Sequence, residues 1–213
     1  MDIGRALTFA FQDSQWIKKV AIGGLLLLIP IVGLLIVTGY WLRLIRQVVE
    51  NDDVPLPEWN DFGGDLVRGL KLIVVTFVWS IPAAILSLIT TFSGSGDDFS
   101  STSLGLQCLG TIVSLGVAFI QPLIATRLAL TEDIGAGLQF SAVFNEIRPV
   151  TTPLLIVLLM SIVTALLAAV GVILCIIGVV FTAFFAYVVN AHLYGQVRRQ
   201  LQGDPTAALR PLV

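Results

Sequence analysis

Five carboxylates crowd one short stretch of this chain: Asp52, Asp53, Glu58, Asp61 and Asp65 surround a turn that carries Pro55 and Pro57. Acids at that density can hold a hard cation through oxygen ligands, or act as a paired general acid and base. A plainer use accounts for them more simply. Helix capping, by Asn60 or Asp61, and a solvated loop explain the group, with Asp65 on the polar side of the following helix beside Arg68 and Lys71. Other reactive side chains are sparse. Cys108 and Cys175 lie in apolar segments, where a thiol behaves as a small buried hydrophobe. Both fall near the same expected membrane face, so a disulfide between them stays open. No Cys and His group has metal-ligand spacing, and there is no Ser-His-Asp set or glycine-rich phosphate loop. His192 reads as an interfacial side chain close to Arg198. The sequence therefore offers no catalytic, cofactor-binding or metal-binding residue, and it predicts a protein that is not an enzyme and takes no cofactor.

Ionisable residues inside membrane spans mark ion and proton paths, and essentially none falls in the apolar segments here. Polarity within those segments amounts to Gln107, Gln121, Asn190, His192 and a few Ser and Thr. Gln121 and Asn190 suit interhelical hydrogen bonds, worth about 0.6 to 2 kcal/mol each. Gly178, Thr182, Ala186 and Asn190 recur at four-residue spacing, as do Gly110 and Ser114. Such ladders permit close helix packing, within the chain or between copies.

The elements that must position these residues follow from composition. The chain is 56% hydrophobic and only 12% charged, with mean hydropathy +0.95. Ordinary soluble domains carry about 25% charged residues, so lipid must be the solvent for much of this surface. No basic tail suits nucleic acid. Lys18 and Lys19 precede the first apolar run, but that run is long and lacks the small-residue cleavage site of a signal peptide.

In chain order, Met1–Gln12 predicts an amphipathic helix, with Ile3, Ala6, Leu7, Ala10 and Phe11 on one face. Asp13 or Ser14 can cap the next helix, which starts near Trp16 and runs into the apolar stretch Val20–Val37. A second amphipathic segment leaves it, with Trp41, Leu44, Ile45, Val48 and Val49 opposed to Arg43, Arg46 and Gln47. After the proline turn, a third amphipathic helix from Phe62 runs directly into a span near Leu72–Thr91. The loop Ser93–Ser103 is acidic and free of Lys and Arg, and a span near Leu104–Leu128 ends at Arg127. Another amphipathic stretch carries Phe140, Val143, Phe144 and Ile147. From Pro153 to Gly195 the chain is apolar for about 60 Å of helix, enough for two spans, with the turn between Ala169 and Gly178. The tail 202–213 is loose, rich in Gly, Pro and small residues. A repeat of pattern, not of identity, covers residues 2–49, 62–130 and 138–200: amphipathic helix, apolar hairpin, basic exit. Residues 1–201 form a single domain, divided into 1–50, 62–130 and 138–201.

The apolar stretch Val20–Val37 admits two readings. As a tilted span kinked at Pro30, it strands Arg5, Lys18 and Lys19 on the far face. As a hairpin turning at Pro30 and Gly33, it returns them, and all 12 basic residues share the cytoplasmic face. Each arm, of about 13 apolar residues or roughly 20 Å, is too short to cross and long enough to re-enter. The charges favour the hairpin. Trp41 and Trp59 suit the interfacial aromatic belt.

One set of residues carries a resemblance. Gly39-Tyr40-Trp41-Leu42-Arg43 with Arg46, the turn Leu56-Pro57-Glu58-Trp59-Asn60-Asp61, and Asp65 with Gly69 and Lys71 are together similar to an uncharacterised prokaryotic family of polytopic membrane proteins, a domain of unknown function. The likeness is strongest over residues 1–90, and the remainder fits by hydropathy. It implies a multi-pass fold and brings no activity or functional residues with it.

The expected fold is all-α, with four transmembrane helices plus an N-terminal re-entrant hairpin, the alternative being five spans, and three amphipathic interfacial helices. The expected role is a non-enzymatic scaffold, membrane-shaping protein or complex subunit, resting on a one-sided wedge and an absence of buried charge. The alternative is a transporter or channel for a lipid or small apolar solute, which a cavity lined by Gln121 and Asn190 would favour. Expected partners are membrane lipids and either further copies of the chain or other membrane subunits, in the plasma membrane with both termini cytoplasmic.

Overall fold

The computed structural model describes residues 1–50, 56–93, 101–170 and 175–203. Asp52, Asp53, most of the 93–103 loop, the middle of the 169–178 turn and the tail beyond 203 lie outside them. So does the side chain of Cys175, and with it any pairing with Cys108, whose own side chain is exposed. The described residues are helical, without a strand: α1 Ile3–Thr8, α2 Trp16–Leu27, α3 Val32–Glu50, α4 Phe62–Ser93, α5 Ser101–Thr131, α6 Ile134–Gly137, α7 Phe140–Ile147, α8 Thr151–Val170 and α9 Cys175–Gly203. Five stretches among them are long and apolar enough to cross a membrane, and they make this an all-α membrane protein.

Local chemistry sets several boundaries. The Asp2 carboxylate accepts from the Arg5 N–H and starts α1, and Asp61 accepts from the Gly64 N–H at 3.0 Å and starts α4. The expected cap at Asp13 or Ser14 is replaced by something else. Asp13 accepts from the Gln15 N–H and holds Lys19, while α2 begins without a side-chain cap.

The stretch Val20–Val37 folds back on itself. Trp59 donates from Nε1 to the Lys19 carbonyl at 2.9 Å and stacks on Tyr40 at 3.9 Å between ring centroids. A straight helix would hold Lys19 and Tyr40 about 30 Å apart, so a shared neighbour requires the turn. Pro30 sits in that turn, and the left-handed residue is Ile31, with φ 63°. Gly33 has another job. A Cβ there would fall 1.8 Å from the Leu26 carbonyl oxygen, so the missing side chain is what lets α3 start against the end of α2.

The α3–α4 crossing is built the same way. A Cβ on Gly39 would lie 1.8 Å from the Asp65 carbonyl oxygen, and one on Gly69 would lie 1.9 Å from that of Leu35. Backbone therefore packs on backbone, in antiparallel sense. On α2, Gly23 and Gly24 admit Phe184 and Val180 of α9. The core gathers where α3 and α9 meet α1 and the lower parts of α4 and α5, around Tyr40, Leu44, Ile45, Leu123, Ile124, Phe184 and Leu193. Trp41 is turned into this core and donates to the Tyr187 carbonyl at 3.0 Å, and Trp59 is held in the stack with Tyr40. Trp41 is thus buried, whereas Trp59 is half-buried, and both N–H groups bind backbone across elements.

Candidate functional site

Between α3, α4, α5 and α9 lies a groove of about 520 Å³. Thr38 and Trp41 line it from α3, Leu72 to Ser80 from α4, Gln121 from α5, and Tyr187, Asn190 and Tyr194 from α9. Ile73 and Phe77, at 42% and 68% exposure, stand at its open side. The volume falls in the range of small-molecule sites, and the lining mixes aromatic and apolar walls with a few polar groups.

The polar groups are all uncharged. Thr38 gives its hydroxyl proton to the Leu34 carbonyl and Ser80 to that of Thr76, so each turns lone pairs outward. Gln121 makes no hydrogen bond among the described residues. Asn190 donates from Nδ2 to Thr164 Oγ1 on α8 at 3.2 Å. Its Oδ1 is buried without a partner. Thus one interhelical hydrogen bond forms at Asn190, while Gln121 faces the groove without one. The ladder Gly178, Thr182, Ala186 and Asn190 is half-buried along its length, and Thr182 bonds back to the Gly178 carbonyl.

Beside the groove's lower end lies a layer of charge in three clusters. In the first, Lys19 meets Asp13 and Glu58, each at 2.7 Å, and the Leu56 carbonyl. In the second, Asp65 joins Arg43 at 2.7 Å to Arg68 at 3.2 Å, and Glu132 takes both Arg68 and Arg46. In the third, Glu146 on α7 binds Arg127 at 2.6 Å and Arg198 at 3.1 Å, and Arg127 also donates to the Ala136 carbonyl.

This layer corrects three expectations. Buried charge is present: Lys19, Asp65, Arg127, Glu146 and Arg198 are all 5% exposed or less. Asp65 lies on the helix from Phe62 as expected, but it is fully buried there instead of solvated, paired with Arg43 of the crossing helix and with Arg68. His192 is fully buried, its Nδ1 3.0 Å from the Gln196 amide and its ring 4.6 Å from that of Phe9. Its position near Arg198 in sequence hid the fact that α1 covers that face of α9. Asp61 does cap its helix, and Glu58 is largely exposed, so the capping and loop readings hold for those two. Among the described residues no three His, Cys, Asp or Glu side chains cluster as metal ligands.

The residues that carried the family resemblance meet at one place. Gly39 and Gly69 make the helix crossing, Tyr40 donates to the Pro57 carbonyl, and Arg43, Asp65 and Lys71 belong to the charge layer. A family described as "Protein of unknown function (DUF4013)" matches residues 22–177, well past residue 90. No curated protein and no solved structure matches the chain.

Proposed function

The chain belongs to the DUF4013 family of proteins of unknown function, and we propose from its own geometry that it is a lipid-handling membrane protein, non-enzymatic, which receives an amphiphilic lipid or small apolar solute sideways into the groove. The observation that carries this reading is the groove itself, a roomy concavity bordered by Gln121 and Asn190 beside a layer of ion pairs. A solid bundle would leave no such room.

The hairpin supports the same reading. Helix α2 has 12 residues, about 18 Å, and it folds back on α3, so it is too short for a crossing of about 30 Å. A re-entrant wedge beside the groove is a device that transport proteins use to line a path at depth. The basic residues gathered at one end of the helices support, through the positive-inside rule, a reading with both termini in the cytoplasm.

The test uses the full chain purified in mild detergent, with bound lipid counted by mass spectrometry, and then reconstituted to follow fluorescent lipid between leaflets. Wild type should retain lipid, and the groove-filling Ser80→Phe should lose most of it and slow any transfer. Equal lipid in both proteins overturns the reading.

A second reading, a scaffold or complex subunit that shapes the membrane, is favoured by the wedge and by α1, which lies against α9 with Phe11 half exposed. Insertion into one leaflet responds to curvature. A strictly monomeric protein that leaves vesicle shape unchanged would end that reading.

A further inference from the structure

We infer that a lipid head group crosses the membrane along one edge of the α4–α5 pair, on a seam of uncharged polar side chains that continues the groove to the far end of both helices. The inference rests on the lipid-handling reading of the groove and adds a route and a cargo, a polar head without net charge.

The two helices carry matched stripes. On α4, Thr76, Ser80, Ala83, Ser87 and Thr90 follow one another at alternating steps of four and three residues. On α5, Gln107, Thr111, Ser114, Ala118 and Gln121 do the same. Such steps keep each set on one face of its helix. Thr76, Ser80 and Gln121 border the groove. A second hollow, of about 220 Å³, lies further along the same two helices, lined by Ser87 and Thr90 on α4 and by Gln107, Thr111 and Ser114 on α5. One helical turn, about 5 Å, separates the hollows, and only Ala83 and Ala118 stand on the stripes at that step.

The polarity of the seam is not spent on holding the helices together. Ser80, Thr90, Thr111 and Ser114 each give their proton to a carbonyl of their own helix. Among the described residues no hydrogen bond joins one stripe to the other. Ser87, Gln107, Thr111 and Ser114 are exposed. Elsewhere the same helices expose Ile81, Ile85 and Leu88, or Leu109 and Ile112, which suit acyl chains. An edge of hydroxyls and amides is poorly solvated by acyl chains and well solvated by water and lipid heads.

Length and charge complete the argument. From Lys71 in the charge layer to Thr90 the rise along α4 is about 28 Å, close to the thickness of the hydrocarbon core. The seam therefore begins at one head-group level and ends at the other. No charged side chain lines either hollow. A head with net charge would lose water there and find no counter-charge, whereas a zwitterionic head carries its own. The tails stay in the surrounding lipid.

The experiment reconstitutes the full chain into phosphatidylcholine vesicles with a trace of tail-labelled fluorescent phosphatidylcholine, and dithionite quenching of the outer leaflet reads transfer. Wild type should transfer the probe faster than protein-free vesicles. Ala118→Phe, which puts a ring at the step between the hollows, should slow transfer about tenfold while lipid retained in detergent stays at the wild-type level. Leu109→Phe, on the opposite side of α5, should change neither. The triple variant Ser87→Ala, Thr111→Val, Ser114→Ala, which removes lone pairs without adding bulk, should slow transfer severalfold. Labelled phosphatidylglycerol should move severalfold more slowly than phosphatidylcholine. Transfer in Ala118→Phe equal to wild type, or phosphatidylglycerol moving as fast as phosphatidylcholine, overturns the inference and leaves lipid handling in the groove standing. So does Thr111→Cys, in a chain without other cysteines, if it cross-links two copies in the membrane, since a second copy then covers the seam. Neither transfer nor retained lipid in wild type removes both.

Discussion

At the charged end of the helices, Asp65, Arg127, Glu146 and Arg198 are each 5% exposed or less and bond across elements. At the far end of α4 and α5, the hydroxyls of Thr90, Thr91, Thr111 and Ser114 bond, among the described residues, only carbonyls of their own helices. The helices differ in the same way. Half of the apolar window of α3 and of α9 is buried, against 17% for α4 and 28% for α5. Among the described residues no charged side chain lies beyond Lys71 on α4 or before Arg127 on α5. Lipid is as apolar as leucine, so burial there drives little association, and position must be fixed by close packing and polar contacts. The charged end has both. It holds the fold in register, and the far ends follow from it.

The largest effect should come from unpairing that end. Glu146→Ala leaves two buried guanidinium groups facing each other without their shared carboxylate, and should cost about 3 to 5 kcal/mol. Thermal unfolding in detergent would register it as loss of folded material. The matching change at the far end, Leu88→Ala, removes a side chain 57% exposed and should cost less than about 1 kcal/mol. Comparable losses at the two sites would refute the contrast.

Backbone contact comes next. Gly39→Ala puts a methyl 1.8 Å from the Asp65 carbonyl oxygen, where neither helix can yield without shifting the other. Overpacking of this kind costs about 1 to 3 kcal/mol. Gly63→Ala, with nothing within 4 Å of its Cβ, should be neutral or slightly stabilising. If the two alanines melt alike, the α3–α4 crossing is looser than its glycines imply.

Much of this architecture was legible in the sequence and some was not, for definite reasons. The cap at Asp61, the long helix from Phe62, and a turn at Pro30 follow from local chemistry and charge placement, and the structure has all three. The buried ion pairs were missed because Glu146 and Arg127 are paired by the short return through α6 and α7, which no periodicity reports. One clue was available: Glu146 stands one turn after Val143, beside the edge of the apolar face of its own amphipathic helix. An acid placed there must meet a base. Gln121 and Asn190 were visible as polar residues in apolar runs, but that they would border an opening, instead of bonding each other, depends on how far α4 stands from α9.

The smallest effect is at Asp61, on the rim of the charged end, and its sign can be worked out. The Arg68 guanidinium, bonded at 2.8 Å, holds this carboxyl below its ordinary value of 3.8, and the Gly64 N–H adds to the effect. A carboxylate whose pKa falls on folding stabilises the folded state above its ordinary value, and that contribution disappears as pH drops through the lower, folded value. The stability gap between wild type and Asp61→Asn should therefore stay constant from neutral pH to about pH 5, then close below the ordinary value. The side chain is 46% exposed, so the gap itself should be small and should shrink further in high salt. A gap that closes already near pH 6 would mean that the titrating group is another one. The rim would then be coupled to the buried clusters rather than standing apart from them.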